Sequence, residues 1–218
     1  MPCAHCIDIE KEFDRKTARR DLKRYRRRGP RKTTRWLLEA VKPLLPEAFT
    51  HLDIGGGVGI IPAELIPAGA RAVYLVDASS AYLNAAQENL SRFNGAIQKM
   101  FRHGDFLEIH QEIPAVDVVT LDRVICCYPH AKDLIVASSQ HARRIYGLVY
   151  PRKNWMMKLF VIVANAYLKL RQSAFRVYLH DPTSVQNLLA EHGWTPQFMD
   201  RTLIWRVEVY QRAREAAL

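Results

Sequence analysis

The sequence predicts an α/β fold, a mostly parallel sheet with helices on both of its faces. Three observations predict it. Short apolar runs alternate with helix-period segments along most of the chain, a glycine-rich turn follows the first run directly, and an aspartate ends the second. At 218 residues and 49% apolar, the chain is long enough for one well-cored α/β domain with small additions, and too short for a second full domain. No apolar run reaches the roughly 20 residues that cross a bilayer. The start, Met1-Pro2-Cys3, turns charged at once and does not read as a secretory signal. The expectation is a cytoplasmic protein, peripheral at the membrane at most. Its four cysteines then default to thiols or metal ligands rather than disulfides.

Charge is unevenly spread. The net is +10, and between Lys11 and Arg35 lie 13 of the 32 Lys and Arg but only 3 of the 22 Asp and Glu, so 19 of each sign remain elsewhere. The body is neutral and one N-terminal segment is basic. Such a segment suits nucleic acid or an anionic membrane surface; it also reads as a solvated helix face. Residues 1–46 are therefore read as a basic helical extension. Because it lies upstream of the first strand, it is expected to stand apart from any pocket in the domain, residues 47–218.

Ile9, Phe13, Leu22 and Tyr25 recur at near-helical spacing and predict a helix from Asp8 to Arg27, broken by Gly29-Pro30. Thr33 or Thr34 can cap a second helix, running to Val41. His51–Ile54 reads as a first strand, Ala72–Asp77 as a second, Lys99–His103 as a third and Asp117–Asp122 as a fourth. Ser79 or Ser80 caps the helix after the second strand. Helix Lys132–Arg144 and strand Tyr146–Tyr150 follow. Beyond Pro151 come an apolar helix Trp155–Leu170 (an insertion spanning 152–172), a strand Phe175–Leu179, a helix Pro182–His192 and an alternating strand Thr202–Tyr210, which reads as antiparallel.

Asp53-Ile54-Gly55-Gly56-Gly57-Val58-Gly59 joins the first strand to the first helix. Glycine lets a backbone turn tightly and approach a ligand with no Cβ in the way, and in a sheet wound both ways this turn faces the ligand crevice. The sixth position from Gly55 is Ile60 and from Gly57 is Pro62, so the G-x-G-x-x-G dinucleotide fingerprint fails; a P-loop is absent too. Asp53 would repel a pyrophosphate and attract an ammonium. Asp77, 22 residues after Gly55, can accept two ribose hydroxyls or cap a helix. Gly104-Asp105 ends the third strand, where a carboxylate can accept an adenine amino group or make an ordinary turn.

Asp53–Gly59, Asp77, Gly104-Asp105 and Asp117–Asp122 together resemble, in order and spacing, the first four motifs of class I S-adenosylmethionine (SAM)-dependent methyltransferases. The resemblance covers about Asp53 to Tyr150. It implies a Rossmann-like seven-stranded sheet with a reversed last strand, and SAM as cofactor. It also implies that Asp53, Gly55, Gly57 and Gly59 hold the methionine part, Asp77 with Ala78 the ribose and Asp105 with Phe106 the adenine, with Asp122 closing the site. Asp122–Pro129, Gly147–Arg152 and Phe175–His180 are similar to small bacterial methyltransferases likened to magnesium-protoporphyrin O-methyltransferase.

The loop Asp122–His130 faces the methyl group in that fold. It lacks the [ND]-P-P-[YF] of many amino-group methyltransferases. Arg123 can clamp a carboxylate or pair locally; Tyr128, His130 and His180 can orient or deprotonate an acceptor or be ordinary surface residues. The apolar content of Trp155–Leu170 exceeds what one packed face needs, and reads as a lid or lipid-facing wall for a large apolar substrate or as an ordinary core helix. Cys3 and Cys6 with Cys126-Cys127 can make a four-thiolate site only if the N-terminus folds over the pocket. The expected function is O-methylation of a carboxylate or hydroxyl on a fairly apolar small molecule. An RNA methyltransferase gripping phosphates through the basic segment, and a non-catalytic SAM-binding protein, are the alternatives.

Overall fold

The computed structural model describes residues 9–93, 95 and 97–212. Seven strands form one sheet: β1 (Phe49–Ile54), β2 (Ala70–Asp77), β3 (Gln98–His103), β4 (Val116–Asp122), β5 (Ala142–Pro151), β6 (Trp194–Arg201) and β7 (Trp205–Arg212). Their order is β3-β2-β1-β4-β5-β7-β6. β7 runs antiparallel to both of its neighbours, and the β1–β5 pairings are all parallel. The reversed strand thus sits inside the sheet, and β6 is the edge.

The helices are α1 (Arg15–Arg28), α2 (Lys32–Val41), α3 (Ile60–Leu65), α4 (Ser80–Leu90), α5 (Phe106–Ile109), α6 (Ala131–His141), α7 (Trp155–Leu170) and α8 (Pro182–Glu191). Successive strand residues point to opposite faces, and each face has its own core. Val73, Val118, Ile145, Val149 and Val209 pack beneath α1–α4, whose contributions include Leu22, Leu37 and Leu65. Leu52, Val76, Val119, Leu121, Tyr146 and Leu148 pack beneath α6 and α8, through Leu134, Ile135 and Leu189.

Local chemistry moves several boundaries from those expected. The predicted first helix breaks after a helical turn at residues 9–12, because Asp14 caps α1 by accepting the Thr17 N–H at 2.8 Å. Neither Thr33 nor Thr34 caps α2; both are buried within it and point to the end of β4. Ser79 does cap α4. The expected strand at Phe175–Leu179 is an extended segment without ladder pairing, and the sixth strand is Trp194–Arg201. Only Trp194 is buried along β6, and Pro196 interrupts it. An edge strand tolerates both features, and neither gives an alternating signal.

The junction of β5 and β7 is held by a carboxylate. Glu208 is fully buried and accepts from Tyr150 at 2.9 Å, Tyr210 at 2.7 Å, Gln186 at 2.9 Å and Arg206 at 2.7 Å. A buried charge is tolerable only when paired and hydrogen-bonded. Glu208→Ala would strand the Arg206 guanidinium and three further donors, and should lower unfolding free energy by about 3 kcal/mol or more. Urea unfolding checks it; a loss below about 1 kcal/mol would show that the network contributes only as a surface pair does.

Candidate active site

Because β1, β2 and β4 run parallel side by side, their carboxyl ends bring Asp53, Asp77 and Asp122 to one edge of the sheet. A cavity there is lined by all three, by Gly55, Gly56 and Gly57, by Ala78, and by Asp105 and Phe106. The glycine turn has no room for side chains. A Cβ on Gly55 (φ +60°) would stand 2.5 Å from Val124 Cγ2, and one on Gly56 2.7 Å from Leu75 Cγ and 2.8 Å from Asp53 Oδ2. Gly59 (φ +72°) differs: it starts α3, a Cβ there would meet Ala86 of α4 at 3.3 Å, and it is not part of the cavity wall. Its glycine serves helix packing.

Asp53 is 1% exposed and accepts from Thr120 Oγ1 at 2.6 Å; Thr120 Oγ1 lies 2.8 Å from His51 Nε2. With its hydroxyl hydrogen given to Asp53, Thr120 accepts from His51, which fixes the Nε2–H tautomer and leaves Nδ1 the atom without a hydrogen bond. Burial drives the His51 pKa down to about 3, so the ring is neutral. Burial also pushes Asp53 up to about 8, opposed by the Thr120 bond and helped by Asp122 and Asp77 nearby. Asp77 is raised to about 6, again by burial, against the backbone bonds that it accepts. Those bonds come from Gly57 N–H at 2.9 Å and Ser79 N–H at 2.8 Å, one to each oxygen. Asp77 therefore staples the glycine turn to β2 and keeps a lone pair on each oxygen for a ligand.

At the third strand end, Asp105 caps α5 by accepting the Leu107 N–H at 2.9 Å, and it also accepts the Tyr128 hydroxyl. Phe106 beside it is 3% exposed. Tyr128 thus closes the cavity at the Asp105 end, with its hydroxyl given to that carboxylate. His130 corrects the expectation further: it is exposed at the start of α6 and outside the cavity wall. His180 also lies off the wall, its Nε2–H given to the Ile125 carbonyl at 2.7 Å. Cys126 and Cys127 stand 3.7 Å apart, sulfur to sulfur; Cys3 and Cys6 lie outside the described residues.

Arg123 holds the sharpest geometry. It has φ +66°, one of two non-glycine residues in that region among those described, and such strain persists only where the surroundings impose it. Here its N–H is bound to the Val149 carbonyl at 2.8 Å, its Nη2 donates to Thr33 Oγ1 at 2.6 Å, and its guanidinium lies 5.0 Å from the Trp205 ring centre. Asp122 beside it accepts from Thr34 Oγ1 at 2.5 Å, while its Oδ1 is buried with no hydrogen bond and stands 3.7 Å from Arg123 Nε.

The N-terminal segment is part of this cavity, against the expectation that it would stand apart. Ile9, Phe13, Asp21, Arg24 and Arg31 all line it. Ser79 Oγ donates to the Phe13 carbonyl at 2.7 Å and Tyr82 OH to Asp21 Oδ2 at 2.8 Å, while Phe13 meets the Tyr82 ring edge-on. Arg24 Nε is buried without a partner, and desolvation with the neighbouring charges of Arg31 and Arg123 lowers its pKa. Reading the segment as one solvated basic run hid these residues. The apolar period that places Phe13 and Leu22 together, with Asp21 the acid between them, was the available signal.

These residues suit SAM. The glycine cradle excludes any side chain, Asp77 offers acceptors to ribose hydroxyls, and the aspartates at the strand ends suit a ligand carrying an ammonium and a sulfonium. Residues 52–145 match the family model described as Methyltransferase domain. A comparison with curated protein sequences finds no match. Among solved structures, magnesium protoporphyrin IX methyltransferase from Synechocystis PCC 6803 with bound S-adenosylhomocysteine superposes with a TM-score of 0.63 at 21% identity, over 94% of this chain and 86% of that one. The same enzyme with bound SAM gives 0.61 at 22%, over 83% and 76%. An O-methyltransferase family protein from Burkholderia thailandensis gives 0.68 at 16%, over 94% and 63%. At these identities the superpositions establish the fold. The match over residues 52–145 adds that this part of the chain is similar to a methyltransferase domain.

The buried acids set a pH test. An Asp whose folded pKa is raised above its ordinary 3.8 holds its proton when the unfolded chain has lost it, so its contribution to stability falls as pH rises between the two values. Asp53→Asn, neutral throughout, should gain melting temperature on the wild type without SAM as pH goes from about 5 to about 8. An offset that is constant over that range would contradict a raised Asp53 pKa.

Proposed function

We propose that this chain methylates a carboxylate oxygen of an apolar small molecule, and that Arg123 orients that carboxylate. The carrying observation is Arg123 itself, a guanidinium held in a strained backbone position at the cavity, beside Arg24 and Arg31. Among the described residues lining the cavity none is a histidine or lysine. The two bases expected from sequence are poorly disposed: Tyr128 is bound to Asp105, and His130 is outside. A carboxylate acceptor needs no base. One of the compared structures, that from Burkholderia thailandensis, bears the description O-methyltransferase, which supports oxygen as the acceptor atom.

SAM supplies a methyl group on a sulfonium, open to in-line displacement. One carboxylate oxygen forms the new C–O bond as the C–S bond breaks, and no proton moves. The protein's part is orientation at about 3 Å separation. The guanidinium has five N–H donors, of which Thr33 takes one. Trp205 and Thr33 fix its plane, so that one edge can hold the acceptor and leave a lone pair aimed at the methyl carbon. Phe13, Ile9 and Val124 exclude water and suit an apolar body. Asp77 and the glycine turn hold the cofactor's ribose and methionine parts, Phe106 and Asp105 its adenine.

The RNA reading is favoured by the exposed face of α1 with Arg19, Arg20, Lys23, Arg26, Arg27 and Arg28, and by a similar solved structure from Pyrococcus horikoshii described as a putative RNA methyltransferase. RNA binding that falls steeply with salt would support it. Labelled SAM in a cell extract separates both from a non-catalytic binder.

Arg123→Lys keeps the charge and loses the planar fork. It should lower kcat/KM for the acceptor on the order of tenfold or more, about 1.4 kcal/mol, with SAM affinity unchanged. The rate on the wild type should stay flat across neutral pH. A rate that climbs with pH, together with an indifferent Arg123→Lys, would replace the carboxylate by a hydroxyl and Arg123 by a base.

A further inference from the structure

Eleven large apolar side chains stand exposed among the described residues, and eight of them are on α7. That helix buries only Met157 and Leu168. Trp155, Leu159, Phe160, Ile162, Val163 and Leu170 are between 56% and 85% exposed. It is therefore not the ordinary core helix that is one of the two readings of its sequence. Two more of the eleven, Leu203 and Ile204, are at the turn between β6 and β7. That turn is bound to the start of α7: Arg152 N–H donates to the Ile204 carbonyl at 2.7 Å, and Asn154 Nδ2 to the Leu203 carbonyl at 3.0 Å. The two exposed apolar groups are therefore neighbours. An exposed patch of this kind marks a contact surface.

Charge identifies the occupant. Residues 152–180 contain Arg152, Lys153, Lys158, Lys169, Arg171 and Arg176, and no Asp or Glu. A second copy of this chain would set these cations against their like. An anionic phospholipid surface satisfies both the apolar side chains and the cations around them. No helix among the described residues is long and apolar enough to cross a membrane. α7, at 16 residues, is about 24 Å long, short of the roughly 30 Å hydrocarbon core, and its cations suit lying in the interface plane.

The patch also adjoins the cavity. Asn165 of α7 exchanges two hydrogen bonds with the Val177 backbone, each 2.9 Å. The neighbouring Tyr178 N–H donates to the Cys126 carbonyl at 2.7 Å, in the loop that brings Cys127 and Tyr128 to the cavity wall. Phe175 packs edge-on against Phe13, another wall residue. On the other side, Trp205 follows Ile204 directly and lies beneath Arg123.

We propose that α7 and the Leu203–Ile204 turn dock this chain on an anionic phospholipid bilayer, which sets the cavity rim at the membrane surface, where an apolar acceptor enters. The docking does not depend on which atom is methylated. The test is flotation of the full chain with phosphatidylcholine vesicles and with vesicles rich in phosphatidylglycerol, at low and high salt. The expected result is binding to the anionic vesicles alone, weakened by salt. Leu159→Glu/Ile162→Glu should lower that binding by about tenfold or more, with melting temperature and SAM affinity unchanged. Lys158→Gln/Lys169→Gln, which leaves the apolar face whole, should weaken it by about tenfold. Three results would overturn the proposal: no binding to anionic vesicles, binding that survives the glutamate pair (which assigns it to the basic face of α1), or a dimer in sedimentation that the same pair dissolves.

Discussion

The parallel register of β1, β2 and β4 forces three carboxylates to one sheet edge, and the rest of the site follows from that crowding. Side by side in a buried crevice, Asp53, Asp77 and Asp122 cannot all be charged without compensation. Each is handled differently. Asp53 keeps its proton and takes a hydroxyl bond from Thr120. Asp77 takes two backbone N–H groups from Gly57 and Ser79, and so fixes the glycine turn that lines the cavity. Asp122 takes a hydroxyl from Thr34, which draws α2 onto the end of β4.

That last contact ties the N-terminal arm to the chemistry. Thr33 and Thr34, in the first turn of α2, hold Arg123 and Asp122 respectively. Asp21 of α1 holds Tyr82 at the mouth of the glycine turn, and Phe13 lies over the same ring. The arm is a roof rather than an appendage. It adds Arg24 and Arg31 to Arg123 at the cavity, with Arg24 Nε buried and short of a partner.

The cofactor half of the site was legible in the sequence because its chemistry is local. A strand, a glycine turn and an aspartate follow one another within a few residues, and their spacing survives folding. Asp53, Gly55, Gly57, Asp77, Ala78, Asp105, Phe106 and Asp122 all reach the cavity wall. The acceptor half was only partly legible. Arg123 and Tyr128 could be read from their place after β4, but Arg24 and Arg31 could not, since whether they face the cavity depends on how α1 packs against α4. Thr33 and Thr34 look like helix caps in any one-dimensional reading. The sixth strand was lost for another reason: an edge strand with one buried residue and a proline has no period to detect, whereas the extended run at Phe175–Leu179 mimics one.

The central claim is that cofactor crevice and N-terminal arm form a single site. Hydrogen–deuterium exchange of the full chain with and without SAM tests it most directly. The account predicts that SAM slows exchange in the glycine turn at residues 55–59 and, together with it, in the arm at residues 9–28, because Phe13 and Asp21 line the same cavity. Protection of the glycine turn with exchange in the arm unchanged would contradict it, and would return the arm to the status of an accessory.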